Sequence, residues 1–272
     1  DVCSSDLVEA GLRTFDKYFP FPEEMNRKLT GSLADLHFAP TKGSKNNLLR
    51  EGISENDIYI TGNTVIDAML HTVKEDYKFE NEELNKIDYV NKKVIMITAH
   101  RRENWGKGIE NICKALNKIV EDNKDVELVY LVHLNPVVKD VVHEKLGGND
   151  RIHLLPPLDT KETHNLMNKC FMVMTDSGGL QEEAPHLGKP VLVLRDVTER
   201  PEAVAYGTVK LVGTDVEKIV NEANELIQNR EAYEKMSKSV NPYGDGKASE
   251  RIADAILRYF DLSDKEVEEF KR

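Results

Sequence analysis

Cysteine is scarce. The 272 residues contain only Cys3, Cys113 and Cys170, with no Cys-x-x-Cys pair and an odd total that cannot all be bridged, which points to a reducing compartment rather than secretion. No apolar run approaches the length of a membrane span, and no signal-peptide pattern opens the chain. Basic residues are outnumbered, 37 Lys and Arg against 48 Asp and Glu, for a net charge of -11; this argues against nucleic acid as a partner. The expectation is a soluble, cytoplasmic protein with no membrane partner. An acidic chain still accommodates an anionic nucleotide where Arg, Lys and helix N-termini are concentrated locally.

Apolar residues are plentiful, at 40%, and the length allows two domains with buried cores. The most informative stretch is 171–201. An apolar run, Phe-Met-Val-Met-Thr-Asp, leads into Ser177-Gly178-Gly179, a short helix follows, and a second apolar run begins at Val191. That is one βαβ unit with a parallel pair of strands. Glycines at the strand-to-helix turn let backbone approach a ligand, and the first helical N–H groups favour a phosphate, so the turn is a place for a diphosphate. Glu182 and Glu183 follow within a turn, and a carboxylate beside a nucleotide grips ribose hydroxyls. Taken alone, the same residues also read as an ordinary tight turn with acids complementing a helix N-terminus.

The rest of the chain decides between these. Glu9, Arg13, Glu23 and Arg27 are candidates for a polar cluster, with prolines flanking Phe21 as a rigid turn before a helix over 23–33. Strands over 36–39 and 57–61 enclose a helix over 44–51, and 76–93 reads as a charged surface crossing. Regular alternation then follows: strands over 94–99, 126–132, 152–155, 171–175, 191–194 and 208–212, separated by helices, make a mostly parallel Rossmann-like sheet. One long amphipathic helical region is expected over 215–234, and a last helix over 248–260. Ligands of such sheets bind beyond the carboxyl ends of the strands. His100, His133, Ser177 and Arg195-Asp196 each follow a strand, so four strands aim polar groups at one edge. Arg200 in the loop beyond is placed to reach a diphosphate; a weak surface pair with Glu199 is the alternative. Cys113, the remaining histidines and the C-terminal acids show no ligand spacing, so no metal is expected.

Eight motifs carry a resemblance. They are Val-Glu-Ala-Gly-Leu-Arg-Thr (8–14), Pro-Phe-Pro-Glu-Glu-Met-Asn-Arg (20–27), Ile-Thr-Gly-Asn-Thr-Val-Ile-Asp (60–67), Thr-Ala-His-Arg-Arg-Glu-Asn (98–104), Val-His-Leu-Asn-Pro (132–136), Thr-Asp-Ser-Gly-Gly-Leu-Gln-Glu-Glu-Ala-Pro (175–185), Arg-Asp-Val-Thr-Glu-Arg-Pro-Glu (195–202) and Asn-Pro-Tyr-Gly-Asp-Gly-Lys-Ala-Ser-Glu-Arg-Ile (241–252). In this order, from Val8 to about Phe260, the chain resembles the bacterial non-hydrolysing UDP-N-acetylglucosamine 2-epimerases. The resemblance implies an α/β, glycosyltransferase-B-like architecture of two Rossmann-like domains with parallel sheets and the active site in the cleft. Family members begin with several more βα units, on the order of a hundred residues at about thirty per unit, which supply basic residues and an essential aspartate. The expectation is thus a chain truncated at its N-terminus and inactive alone: 1–7 a non-family leader, 8–75 the remainder of an incomplete N-terminal domain, 76–92 the interdomain crossing, 93–240 the UDP-binding domain, and 241–272 a loop and helix crossing back.

By the same resemblance the activity is interconversion of UDP-GlcNAc and UDP-ManNAc, through elimination of UDP to 2-acetamidoglucal and re-addition, with no cofactor. Glu9, Glu23 and His100 match the catalytic residues. Ser177, Gly178 and Gly179 match the phosphate contacts, Glu183 the ribose contact and Arg200 the diphosphate contact, while backbone over 154–158 would meet uracil. A second UDP-GlcNAc as activator would sit at Arg101, Glu103 and His133, and a homodimer is expected. The alternatives are a hydrolysing relative releasing N-acetylmannosamine and UDP, a glycosyltransferase of the same architecture, and a UDP-sugar-binding fragment without catalysis.

Overall fold

The computed structural model describes residues 5–18 and 20–271, so Cys3 and the first four residues of the expected leader lie outside the described residues. The chain divides into two compact units, one formed by the residues up to His71 together with those from Pro242 onward, the other by Thr72 to Asn241.

In the first unit the order is β1 (Asp6–Val8), α1 (Glu23–Gly31), β2 (Leu36–Ala39), α2 (Lys42–Arg50), β3 (Ile58–Ile60) and α3 (Thr64–Thr72), the last reaching the boundary between the units. The strands form a parallel sheet in the order β1-β2-β3. β2 is buried along its whole length, as a parallel strand covered on both faces must be. β1 takes in Asp6 and Leu7 of the expected leader: Asp6, Leu7 and Val8 pair with Leu36, His37 and Phe38. Three residues are too few to show a period, so this strand is defined by its neighbour. The Phe21–Pro22 peptide is cis. The chain's closing segment also packs on this unit: the Phe270 amide donates to the Ile60 carbonyl at 2.8 Å, Glu269 accepts from the Ile60 amide at 3.2 Å, and Phe270 is buried.

The second unit contains β4 (Lys93–Thr98), α4 (Lys107–Asp122), β5 (Val126–Leu131), α5 (Pro136–Leu146), β6 (Ile152–Leu155), α6 (Thr160–Lys169), β7 (Met172–Thr175), α7 (Leu180–His186), β8 (Val191–Val193), α8 (Pro201–Ala205), β9 (Val209–Leu211), α9 (Val216–Gln228) and α10 (Arg230–Ser237). Helix α11 (Ala248–Tyr259) returns the chain to the first unit. Every neighbouring strand pair in the six-stranded sheet is parallel, in the order β6-β5-β4-β7-β8-β9. Counted within the unit this is the doubly wound Rossmann order, and its topological switch point lies between β4 and β7.

Local sequence explains the helices. α4 buries Ile109, Ile112, Cys113, Leu116, Ile119 and Val120, the three-and-four spacing of one apolar stripe, each large aliphatic contributing about 1.5–3 kcal/mol of transfer free energy. Asn135 caps α5 with Pro136 in its first turn, and Asp159 caps α6 by accepting from the Glu162 amide, both standard helix starts. The single helix expected over 215–234 is two: Asn229 ends α9 and its side chain accepts from the Glu231 and Ala232 amides to begin α10. An internal cap outweighed a continuous amphipathic pattern. The segment 76–92, expected to cross the surface, packs within the second unit. Tyr77, Phe79, Leu84 and Ile87 are buried among its charges, and the Glu80 and Asn81 amides donate to Glu162 on α6 at 2.6 and 3.3 Å.

Candidate active site

Four residues stand at the same offset. β4 ends at Thr98, β5 at Leu131, β7 at Thr175 and β8 at Val193, so His100, His133, Ser177 and Arg195 are each the second residue past a strand. Parallel register therefore brings them to one edge of the sheet, with His100 and Ser177 flanking the switch point. His100 and His133 stack, ring centroids 5.3 Å apart and planes 13° from parallel.

Between β4 and β7 the organising residue is Asp176, which is fully buried. Its Oδ2 accepts from the amides of His100 (2.9 Å) and Arg101 (2.8 Å) and from Nδ2 of Asn104 (3.0 Å). Asn104 also donates to the Leu194 carbonyl at 3.1 Å, so one carboxylate and one amide bind the loop after β4 to the ends of β7 and β8. The other oxygen, Oδ1, lies 3.5 Å from His100 Nδ1. A proton on Nδ1 faces the carboxylate and leaves Nε2 as the lone-pair nitrogen, an assignment made from neighbours. Burial lowers the His100 pKa; Asp176 opposes that, the stacked His133 and Arg101 reinforce it, and Glu103 opposes it. The imidazole is thus neutral near neutral pH, suited to exchanging a hydrogen bond or proton rather than to acting as a fixed cation.

The Ser-Gly-Gly turn is built around an arginine. Arg200 Nε donates to Glu182 Oε1 at 2.5 Å, and Nη1 pairs with Glu199 Oε1 at 3.0 Å. Glu199 in turn accepts from Arg195 at 3.0 Å, and Arg195 Nε lies 2.9 Å from Glu103. Five side chains form an alternating chain, Glu103, Arg195, Glu199, Arg200 and Glu182, in which the Arg195 and Glu199 side chains are 0% and 1% exposed. The guanidinium of Arg200 lies directly against Gly178: a Cβ there would approach Arg200 Cζ to 2.8 Å. Gly178 has no positive φ, so it is glycine for close approach, not for turn geometry. Thr198 fastens the same loop to α7, donating to Gln181 at 2.7 Å and accepting from the Arg200 amide at 3.1 Å. The Arg200–Glu199 pair considered from sequence as a surface contact is real and buried. α7 has seven residues, so its dipole is short and the arginine is the main positive charge at the turn.

Glu183, next along α7, directs Oε1 to Gly179, where a Cβ would lie 2.9 Å away, and Oε2 to His164 Nε2 at 3.3 Å. His164 belongs to α6 and is 1% exposed.

In the first unit, Glu9 is exposed with φ of 58°, a left-handed conformation that non-glycine residues adopt at a cost. Gly11, two residues on, has φ of 88° and sits against the Ser44 backbone. The sequence-level cluster of Glu9, Arg13, Glu23 and Arg27 is rearranged. Arg13 forms a two-bonded pair with Glu51, at 3.0 and 2.7 Å, which holds the Glu51 carboxyl below its usual range. Arg27 lies 3.6 Å from Glu24, which is buried and accepts from the Thr14 and Phe15 amides. Glu23 is half-buried at the start of α1. Sequence reasoning missed Asp176, although it lies inside a quoted motif, and it read Glu182 only as a candidate ribose contact and Glu199 only as a surface partner of Arg200; it also missed His164, which no local pattern marks.

A switch point flanked by polar strand ends, with a buried arginine at a glycine turn, defines the class: a Rossmann-type α/β protein. A family model of the UDP-N-acetylglucosamine 2-epimerases matches residues 8–257, and the chain belongs to that family. It is 51% identical to the UDP-N-acetylglucosamine 2-epimerase of Bacillus subtilis over 264 residues, 97% of this chain and 68% of that protein. Against the Escherichia coli K12 enzyme of the same name it is 50% identical over 254 residues, covering 92% and 68%. An S. aureus protein solved with UDP superposes with a TM-score of 0.94 at 50% identity, over 98% of this chain and 72% of that one. For a Neisseria meningitidis UDP-GlcNAc 2-epimerase solved with UDP-GlcNAc the values are 0.88 and 46%, over 94% and 70%. The α/β fold with parallel sheets expected from sequence is the fold of these epimerases.

Proposed function

We propose that the protein is a UDP-N-acetylglucosamine 2-epimerase, an isomerase interconverting UDP-GlcNAc and UDP-ManNAc, and that these 272 residues alone are inactive. The C2 hydrogen is hardly acidic, so direct inversion by proton removal is barred. In the proposed route a base takes the C2 proton as the C1–O bond to UDP breaks, giving 2-acetamidoglucal and UDP. UDP then re-adds at C1 while the proton is delivered to the opposite face of C2. Electrons and atoms balance within the substrate.

Arg200 and the turn at Ser177, Gly178 and Gly179 hold the departing diphosphate, Glu183 takes ribose hydroxyls, and backbone over 154–158 meets uracil. Glu9 and Glu23 serve as the carboxylate base and acid, with neutral His100 beside the diphosphate. The observation that carries the reading is the Arg200 guanidinium fixed on Gly178 by Glu182 and Glu199 at the carboxyl end of β7. Preorganised cations aimed at developing charge stabilise a leaving anion without reorganising. Arg101, Glu103 and His133 are proposed to receive a second UDP-GlcNAc as activator, in a cytoplasmic homodimer serving cell-surface polysaccharide synthesis.

The test is NMR of UDP-GlcNAc incubated with the protein, alongside calorimetric titration with UDP. Appearance of UDP-ManNAc supports epimerisation and overturns the inactivity of the 272 residues alone, free N-acetylmannosamine with UDP supports a hydrolysing relative, and no UDP binding overturns the site. The variants divide the roles: Glu183→Ala weakens UDP binding, Glu23→Gln, tested in a chain carrying the family's N-terminal βα units, lowers turnover, and equal loss of nucleotide affinity in both would contradict the division.

A further inference from the structure

His164 stands outside every motif used above. It is 1% exposed, and both ring nitrogens have partners: Nε2 lies 3.3 Å from Glu183 Oε2, and Nδ1 is 2.6 Å from Thr72 Oγ1. An ionised carboxylate only accepts, so Nε2 carries the proton and Nδ1 accepts the threonine hydroxyl. Thr72 is itself fastened, since its carbonyl accepts from Asn165 Nδ2 at 2.8 Å, and the Lys74 amide donates to Asn165 Oδ1 at 2.9 Å. Two adjacent side chains of α6 therefore bind residues 72–74, and one of them extends the connection to α7.

We propose that His164 is the positioning residue for Glu183, and that Thr72 fixes the orientation of its ring. This rests on the reading of Glu183 as the ribose contact. A glutamate carboxyl rotates freely about its last torsion. Holding Oε2 on His164 keeps Oε1 turned toward Gly179, where the sugar of a nucleotide seated on the Ser-Gly-Gly turn lies. The arrangement matches the outer partners of metal-binding histidines, in which a fixed hydrogen bond sets the tautomer and rotation of the group that touches the ligand. The chemistry it selects is a nucleoside diphosphate with free ribose hydroxyls over one without them.

The experiment measures binding of UDP and of 2′,3′-dideoxyuridine diphosphate to the full chain by calorimetry. Wild type prefers UDP, and Glu183→Ala abolishes the preference. His164→Phe, which keeps a ring in the cavity and removes both nitrogens, reduces the preference about tenfold, the low end for a hydrogen bond to a charged group, while leaving affinity for the dideoxy ligand unchanged. A purely structural role would weaken both ligands alike. Thr72→Val reproduces part of the loss and Thr72→Ser restores the preference, so this pair carries the test should His164→Phe fail to fold. A wild-type preference abolished in Glu183→Ala but intact in both His164→Phe and Thr72→Val overturns the inference alone. No preference in wild type sinks the ribose reading, and the inference with it.

Discussion

Gly178→Ala is the sharpest probe of the site, because one methyl group tests whether Arg200 lies where the structure puts it. The added Cβ would approach Arg200 Cζ to 2.8 Å and Nη2 to 3.2 Å, with Nη1 closer still. Ordinary carbon contacts begin near 3.5 Å. The guanidinium must therefore retreat by most of an ångström, yet it is held by Glu182 on one side and Glu199 on the other. Either retreat stretches one of these buried pairs, or α7 shifts. Overpacking typically costs about 1–3 kcal/mol and outright loss of a buried partner about 3–5 kcal/mol, so a loss of about 2–4 kcal/mol is expected. At about 2–4 °C per kcal/mol for a chain of this size, the melting temperature should fall by roughly 4–16 °C, with UDP affinity down about tenfold or more.

Calorimetry and UDP titration measure both, and a double-mutant cycle isolates the cause. In an Arg200→Ala background the same glycine substitution should cost little, because the group it collides with is gone. A Gly178→Ala protein that melts within about a degree of wild type and binds UDP unchanged would refute the placement of Arg200. So would an undiminished cost in the Arg200→Ala background. Gly179→Ala is the comparison for stability: its Cβ meets only the carboxylate end of Glu183, at 2.9 Å, and a side-chain tip yields more easily than a doubly held guanidinium, so the melting temperature should fall less than in Gly178→Ala.

Asp176→Asn removes the carboxylate charge that raises the His100 pKa, so that pKa should drop further below its ordinary value, read from the imidazole resonances by NMR; an upward shift would contradict the assignment. Stability should also fall on acidification. Burial lowers the pKa of both His37 and His100 from 6.5 in the folded protein. Above pH 6.5 neither state is protonated and the histidines are neutral in effect; below it the unfolded chain binds protons that the folded chain refuses, so stability declines until the folded values are passed. Chemical denaturation at pH 7.5 and at pH 5.5 measures this, and His37→Gln should flatten the decline. Phe270→Ala should cost about 3 kcal/mol and reduce hydrogen-exchange protection of the Ile60 amide, which Glu269 covers; unchanged protection would show that the closing segment does not hold β3.

Much of the second unit was legible because parallel strands buried on both faces write themselves as apolar runs. The strand readings at 94–99, 126–132, 152–155 and 191–194 fall within a residue of β4, β5, β6 and β8 at either end. The residue two beyond each strand was legible for the same reason, since the end of an apolar run is easy to see. Partners supplied by distant segments were hidden. Arg13 was grouped with glutamates close in sequence, yet its carboxylate is Glu51, at the end of α2. The pairing of β1 depends on β2, and the contact of His164 depends on how α6 meets α7. Nothing in a one-dimensional pattern reports such tertiary choices, although Asp176 lay within reach, being an ionisable residue at the end of an apolar run that buries.

Glu182 and Glu199 also determine how the site can hold an anion. The chain carries a net charge of -11, and the chain of ion pairs sets Glu103, Glu182 and Glu199 against only Arg195 and Arg200. Neither the whole field nor the local balance attracts a diphosphate from a distance, so long-range steering does not account for the grip. Buried ion pairs are also a poor source of stability, since apolar side chains of similar volume often do as well or better. What the carboxylates do provide is position. Glu199 and Glu182 fix the Arg200 fork against Gly178, so a diphosphate seated there as proposed meets a side chain whose ordering entropy is already spent. In the proposed site the diphosphate is therefore met at short range by a preorganised arginine, and Glu182 and Glu199, which hold that arginine, are expected to matter to binding without touching the ligand themselves.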